Sequence, residues 1–158
     1  TDPWASIGYV SNATLGTASG SVSVDTGLFS SSLLGKAMIV HAFDGSRIAC
    51  ALLSDGVDAT LAASAFVAYY DYSGSLAVGG EVGPMVTSGT TQTFAWSLTG
   101  ADPACSSGAG SAANSCGCAC LLAPLSTLNT HSDTQWHGST SGSLACLRHP
   151  CTQDSHSL

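Results

Sequence analysis

The stretch Gly35–Cys50, GKAMIVHAFDGSRIAC, decides how this chain is read. Met38-Ile39-Val40 is continuously apolar and β-branched in part, as expected of a strand buried on both faces. It ends on His41. Asp44-Gly45 follows as a turn signal, and Arg47 begins a second apolar run through Cys50. Strand, tight turn and strand again predict a hairpin with a histidine and an arginine at one end. The chain has only three Lys and Arg residues, and two of them, Lys36 and Arg47, flank this histidine in sequence.

Working outward, no segment shows sustained helical periodicity. Short β-rich runs separated by Gly, Ser, Asp and Thr recur instead, which is the all-β pattern. The expected strands are 6–10, 20–24, 35–41, 47–53, 65–72, 75–82 and 91–98. Alternation is clear in Ser21-Val22-Ser23-Val24 and in Thr91-Gln92-Thr93-Phe94-Ala95-Trp96, the pattern of half-buried strands. This number of short strands predicts a β-sandwich or flattened barrel. Phe66, Tyr69, Tyr70 and Trp96 are read as core and rim packing, because large rings dominate burial in β cores.

Composition bounds the functional classes. Of 158 residues, 44% are hydrophobic and only 8% charged, far from a disordered chain. Solubility then has to come from hydroxyls, the acidic excess or attached sugar. The formal net charge of −7 offers no basic stripe for phosphates, so nucleic acid is not an expected partner. No apolar run reaches the roughly 18 to 20 residues of a membrane span, so none is expected. The first residues, TDPWASIGYV, do not read as a signal peptide, which leaves a processed leader or a longer precursor.

Seven cysteines with little charge and much Ser and Thr suggest an oxidising, extracellular or cell-surface setting. The segment 101–116, ADPACSSGAGSAANSC, reads as a long polar loop closed by a local Cys105–Cys116 disulfide. Asn12-Ala13-Thr14 is an N-glycosylation sequon, making an N-linked glycan an expected partner. From residue 118 the chain reads as an irregular tail holding four of the five histidines. Cys118 and Cys120 read as disulfide-bonded in such a setting, with thiolate metal ligation as the other reading. His131, His137 and the Cys146/His149/Cys151 cluster carry metal-like residue types without the spacing of a zinc module.

On residue types alone, His41 is either a hydrogen-bonded rim histidine or a copper or zinc ligand. Arg47 is either a solvated turn charge or an anion-guiding group with a fixed fork of donors. Together, GKAMIVHAFDGSRIACALL resembles the closing segment of the copper/zinc superoxide dismutases. There a glycine and a basic residue lead into an apolar strand, the last copper-binding histidine, an arginine and a cysteine. The short Phe43-Asp44-Gly45-Ser46 link resembles the secreted copper-only superoxide dismutase repeat proteins. Residues 1–53 are similar to the second half of such a repeat, and residues 54–117, including SLTG and CSSGAGSAANSCG, to the first half of the next. The tail spans 118–158.

The resemblance implies a Greek-key β-sandwich, either permuted within the chain or completed by a neighbouring chain. It implies copper as cofactor and no zinc site of the family type. His41 is then a copper ligand, Arg47 the anion-guiding catalytic residue and Cys50 one half of a disulfide. Where the family continues with an apolar-His-apolar-His strand, this chain has Gly117-Cys118-Ala119-Cys120, and no His-x-His occurs anywhere in it. Two functions follow as expectations. One is a structural or assembly unit with an incomplete copper site, self-associating with identical or repeat-related chains through open strand edges. The other is a copper-dependent superoxide dismutase whose remaining ligands come from the tail or another chain. The structural reading is the favoured one.

Overall fold

The computed structural model describes residues 3–4 and 6–120. Over these the chain is built mostly of β-strands in two antiparallel sheets. One sheet has the order β1-β8-β7-β5-β4, with β1 at Ala18–Asp25, β4 at Ser54–Asp55, β5 at Leu61–Ala63, β7 at Gly79–Ser88 and β8 at Thr91–Thr99. The other has the order β6-β3-β2-β9, with β2 at Ala37–His41, β3 at Arg47–Leu52, β6 at Val67–Ala68 and β9 at Cys118–Cys120. A single helical turn, α1 (Ser30–Leu33), buries Leu33.

The alternating stretches become the expected half-buried strands. β1 and β8 pair along their whole length, from Ala18↔Leu98 to Asp25↔Thr91. Gln92, Phe94, Trp96 and Leu98 turn inward, while Ser19, Ser21, Ser23, Thr93, Ser97 and Thr99 turn to solvent. That outer face is a field of hydroxyls, which explains how so weakly charged a chain wets its surface. β7 and β8 are joined by the two-residue turn Gly89-Thr90. Gly89 has φ 61°, the positive value such tight hairpins require.

The sheets share one core. Met38, Val40 and Ile48 of the second sheet pack with Val82, Phe94 and Trp96 of the first. Trp4 and Phe94 meet with ring centroids 5.8 Å apart, and Phe94 and Trp96 at 6.3 Å, tilted as aromatic quadrupoles favour. β2 is buried at every position because it is an inner strand with both faces covered. Ile39 and Ala37 lie on its other face with Cys50 and Tyr69. Gln92 is also fully buried. Its Nε2 donates to the Leu28 carbonyl at 2.8 Å and its Oε1 accepts from Thr26 Oγ1, so the amide is satisfied at both ends.

Strands from both parts of the chain are interleaved. β1 pairs with β8, β3 with β6, and β2 with β9. Residues before and after 53 therefore complete each other's sheets within one chain.

Several strand expectations are corrected. Residues 6–10 give one isolated bridge, Gly8↔Gly117. The expected strand at 65–72 shrinks to Val67–Ala68, because Tyr69–Tyr72 closes a turn (Tyr72 N–H to Tyr69 carbonyl, 3.0 Å). The strand expected at 75–82 begins at Gly79 and continues to Ser88 through an irregularity in the pairing between Val82 and Val86, where Gly83-Pro84 hid the continuation. The tail is not irregular from its first residue: Cys118–Cys120 forms β9 on the edge of β2, with Val40↔Cys118 and Met38↔Cys120 opposite. Backbone pairing with an available strand edge does not need an alternating side-chain pattern.

Candidate functional site

The hairpin read from Gly35–Cys50 exists as expected. β2 pairs with β3 from Ala37↔Leu52 to His41↔Arg47, with a register shift between Val40 and His41. The irregularity brings the histidine and the arginine opposite each other at the hairpin end. Lys36 is at the other end of β2, on the order of 16 Å away at strand rise. Only Arg47, of the two flanking cations, shares the site with His41.

The intervening turn is built by local bonds. The Ala42 N–H donates to the Ser46 carbonyl at 2.8 Å and Gly45 N–H to the Ala42 carbonyl at 3.0 Å. Asp44 Oδ1 accepts from the Ser46 N–H at 2.9 Å. The hydrogen bonds to Ser46, side chain first, lower the Asp44 pKa below its usual range. Gly45 has φ 84°, and a Cβ there would lie 2.6 Å from the Ala113 carbonyl oxygen, so only glycine fits.

His41 is buried, at 5% exposure. Its Nδ1 lies 3.0 Å from the Gly45 carbonyl oxygen. A carbonyl only accepts, so Nδ1 carries the proton and Nε2 the lone pair in the neutral ring. Burial lowers the His41 pKa below 6.5; the Gly45 bond opposes this and the Arg47 charge adds to it. A neutral imidazole oriented through Nδ1–H by a backbone carbonyl is the form in which histidine ligates metals.

The main chain of His41 is held from two sides. Its N–H donates to the Gly117 carbonyl at 2.9 Å, and its carbonyl accepts from the Tyr9 hydroxyl at 2.8 Å. Tyr9 is itself buried, and desolvation pushes its pKa up to about 12. Arg47 donates from Nη1 to the Tyr69 hydroxyl at 2.8 Å, with its guanidinium carbon 5.4 Å from the ring centroid. Tyr69 thus orients the guanidinium as well as packing on Ile39 and Cys50.

The loop expected at 101–116 is present and straps this turn down. Cys105 and Cys116 form a disulfide with Cα atoms 5.8 Å apart, both fully buried. Cys116 N–H donates to the Ala42 carbonyl at 3.0 Å, and Ser115 Oγ to the Phe43 carbonyl at 2.6 Å. Asp102 Oδ2 accepts from the Phe43 N–H at 2.9 Å while its Oδ1 accepts from Ala104 N–H at 3.0 Å. Cys50 is buried and disulfide-bonded.

The donor set bears on copper. Among the described residues no three His, Cys, Asp or Glu side chains come together as a metal-holding group. Cys118, expected in a disulfide or as a ligand, is a buried thiol that packs in the apolar core. His41 alone does not fit a copper ion. His131, His137, Cys146, His149 and Cys151 lie outside the described residues.

Asn12, the sequon residue, is exposed in the turn that precedes β1. Its Oδ1 accepts from the N–H groups of Thr14 and Leu15, each at 2.9 Å. No helix among the described residues is long and apolar enough to cross a membrane.

Tyr9, Tyr69, Asp102 and Ser115 were not expected at this site. Asp102 carried the one sequence signal, an Asp-Pro pair opening a turn whose Ala104 N–H it caps. Comparison with protein-family models, with curated proteins and with solved structures finds no match to this chain.

Proposed function

We propose that this chain is an extracellular β-sandwich module of the superoxide dismutase type, with Greek-key topology and a degenerate copper site, that works as a structural unit by pairing through an open sheet edge with copies of itself or of related repeats. The observation that carries the reading is β1. It is the outermost strand of its sheet and the one long edge strand among the described residues, since β4, β6 and β9 span two or three residues each. Ala18 already bridges to Ser11 on the free side, so among the described residues the open edge runs over Ser19–Asp25. It carries no Lys, no Pro and no bulge, the devices that normally blunt such an edge. An extended segment of a second molecule can add there by main-chain hydrogen bonds. The buried Cys105–Cys116 disulfide is compatible with an oxidising compartment.

The test is sedimentation velocity of the purified chain across a concentration series, beside Ser21→Lys. Ser21 is exposed on β1 opposite Ala95, so a lysine there charges the edge without touching the core. The wild type associates with concentration and the variant stays monomeric with an unchanged circular dichroism spectrum. A wild type that remains monomeric throughout overturns the reading.

One observation favours a second reading. His41 presents a neutral imidazole held through Nδ1, and Arg47 sits opposite it. With further ligands from the tail or another chain, His41 would hold copper, which supplies the one-electron chemistry of superoxide disproportionation, and Arg47 would attract the anion. Elemental analysis decides: about one copper per chain, lost in His41→Ala, supports this second reading, and metal content near zero removes it.

A further inference from the structure

We infer that Asn12 is a glycan-bearing residue whose core sugar lies in a groove at the N-terminal end of the open β1 edge. This rests on the extracellular reading, because it needs the secretory glycosylation machinery. Three observations converge. Asn12-Ala13-Thr14 has the acceptor sequence, and both Asn12 and Thr14 are exposed. Oδ1 is fully engaged by the Thr14 and Leu15 N–H groups, which fixes the amide and leaves no hydrogen bond to Nδ2 among the described residues. A groove of about 360 Å³ opens beside Asn12, lined among others by Val10, Thr17, Ser19, Ser97 and Thr99.

The lining suits a sugar rather than an apolar ligand. Val10, 59% exposed, offers a hydrophobic patch for the apolar face of a pyranose. The exposed Ser and Thr hydroxyls offer donors and acceptors for its ring hydroxyls. The covalent step uses a polyisoprenyl-pyrophosphate oligosaccharide as donor. The Asn12 amide nitrogen forms a bond to the anomeric carbon, and the bond from that carbon to pyrophosphate oxygen breaks. The lipid pyrophosphate leaves with the electron pair and the amide loses one proton. Once attached, the first sugar stands next to Ser11 and Ala18, where the free edge of β1 begins. It thereby limits any added strand to the Ser21–Asp25 end.

The full chain is secreted from a eukaryotic host as wild type, Thr14→Ala and Thr14→Ser. Thr14→Ala destroys the acceptor sequence but keeps the backbone N–H that Asn12 binds. Intact mass is expected to exceed the polypeptide mass in wild type and Thr14→Ser, to fall on treatment with peptide N-glycosidase, and to equal the polypeptide mass in Thr14→Ala. Amide exchange in peptides covering 17–19 and 97–99 is expected to be slowed about threefold or more by the glycan relative to Thr14→Ala. Trimming to a single N-acetylglucosamine retains the slowing. Absence of a glycan mass overturns the site, and a glycan that leaves exchange in these segments unchanged overturns its seat in the groove. Exchange is compared at a concentration where sedimentation shows both proteins monomeric, so failure of the assembly reading is recognised separately.

Discussion

Removing the Cys105–Cys116 bond tests whether the strapping loop holds the His41 turn in place. The two cysteines are 11 positions apart and both are fully buried. A crosslink closing a ring of about 12 residues lowers the entropy of the denatured chain by about 9.5 cal/mol/K, which is about 2.8 kcal/mol at 25 °C. The double variant Cys105→Ala/Cys116→Ala is therefore expected to lose about 3 kcal/mol in chemical denaturation, or roughly 6 to 12 °C in Tm for a chain of this size. The loss is not expected to be uniform. Cys116 N–H and Ser115 Oγ bind the carbonyls of Ala42 and Phe43, and Asp102 binds the Phe43 N–H. Loosening the loop frees all three bonds together, so amide exchange should accelerate most in residues 41–46, well ahead of β8. Denaturation with guanidinium gives the first quantity and exchange mass spectrometry the second. A stability loss under about 1 kcal/mol, or exchange at 41–46 that moves no more than β8, would refute the strap.

Three further predictions follow from the same site. Tyr9→Phe strands the His41 carbonyl and is expected to cost about 1 to 3 kcal/mol at neutral pH. Because the Tyr9 pKa is raised from 10.0 to about 12, the wild type should also lose stability as pH rises through that window, where the unfolded chain ionises and the folded one does not. The alkaline loss should shrink in Tyr9→Phe, as read by urea denaturation at stepped pH. His41 has the opposite sign: its pKa is lowered, so its contribution is complete above about 6.5 and falls as pH drops through the folded-state value. An imidazole carbon shift that titrates above 6.5 in NMR contradicts the burial. Gly45→Ala, which forces a side chain into positive φ and against the Ala113 carbonyl, is expected to cost about 1 to 3 kcal/mol and to displace the His41 ring resonances.

Much of the fold is legible where local pattern and final burial coincide. β1 and β8 alternate because one face of each is wet, and β2 is apolar throughout because it is an inner strand. The Asp44-Gly45 turn is legible because its geometry is satisfied within a few residues. Legibility fails at β7, where Gly83-Pro84 interrupts a strand that tertiary pairing with β8 carries through. It fails again at β9, three small residues ordered by the edge of β2. In the site, His41 and Arg47 were legible as a pair, whereas Tyr9, Tyr69 and Asp102 were not. They reach the site from distant parts of the chain, and no spacing encodes such contacts.

By itself, then, the sequence determined the β class, the hairpin from Gly35 to Cys50, the Cys105–Cys116 loop and the sequon at Asn12. These depend on side-chain periodicity, turn chemistry and short separations, which act within a few residues. Only the tertiary structure decided that Arg47 and not Lys36 faces His41, that residues before and after 53 complete each other within one chain, and that no other described strand pairs with the Ser19–Asp25 edge of β1. Those outcomes depend on which strands become neighbours, and that choice is made by burying one shared core across the whole chain.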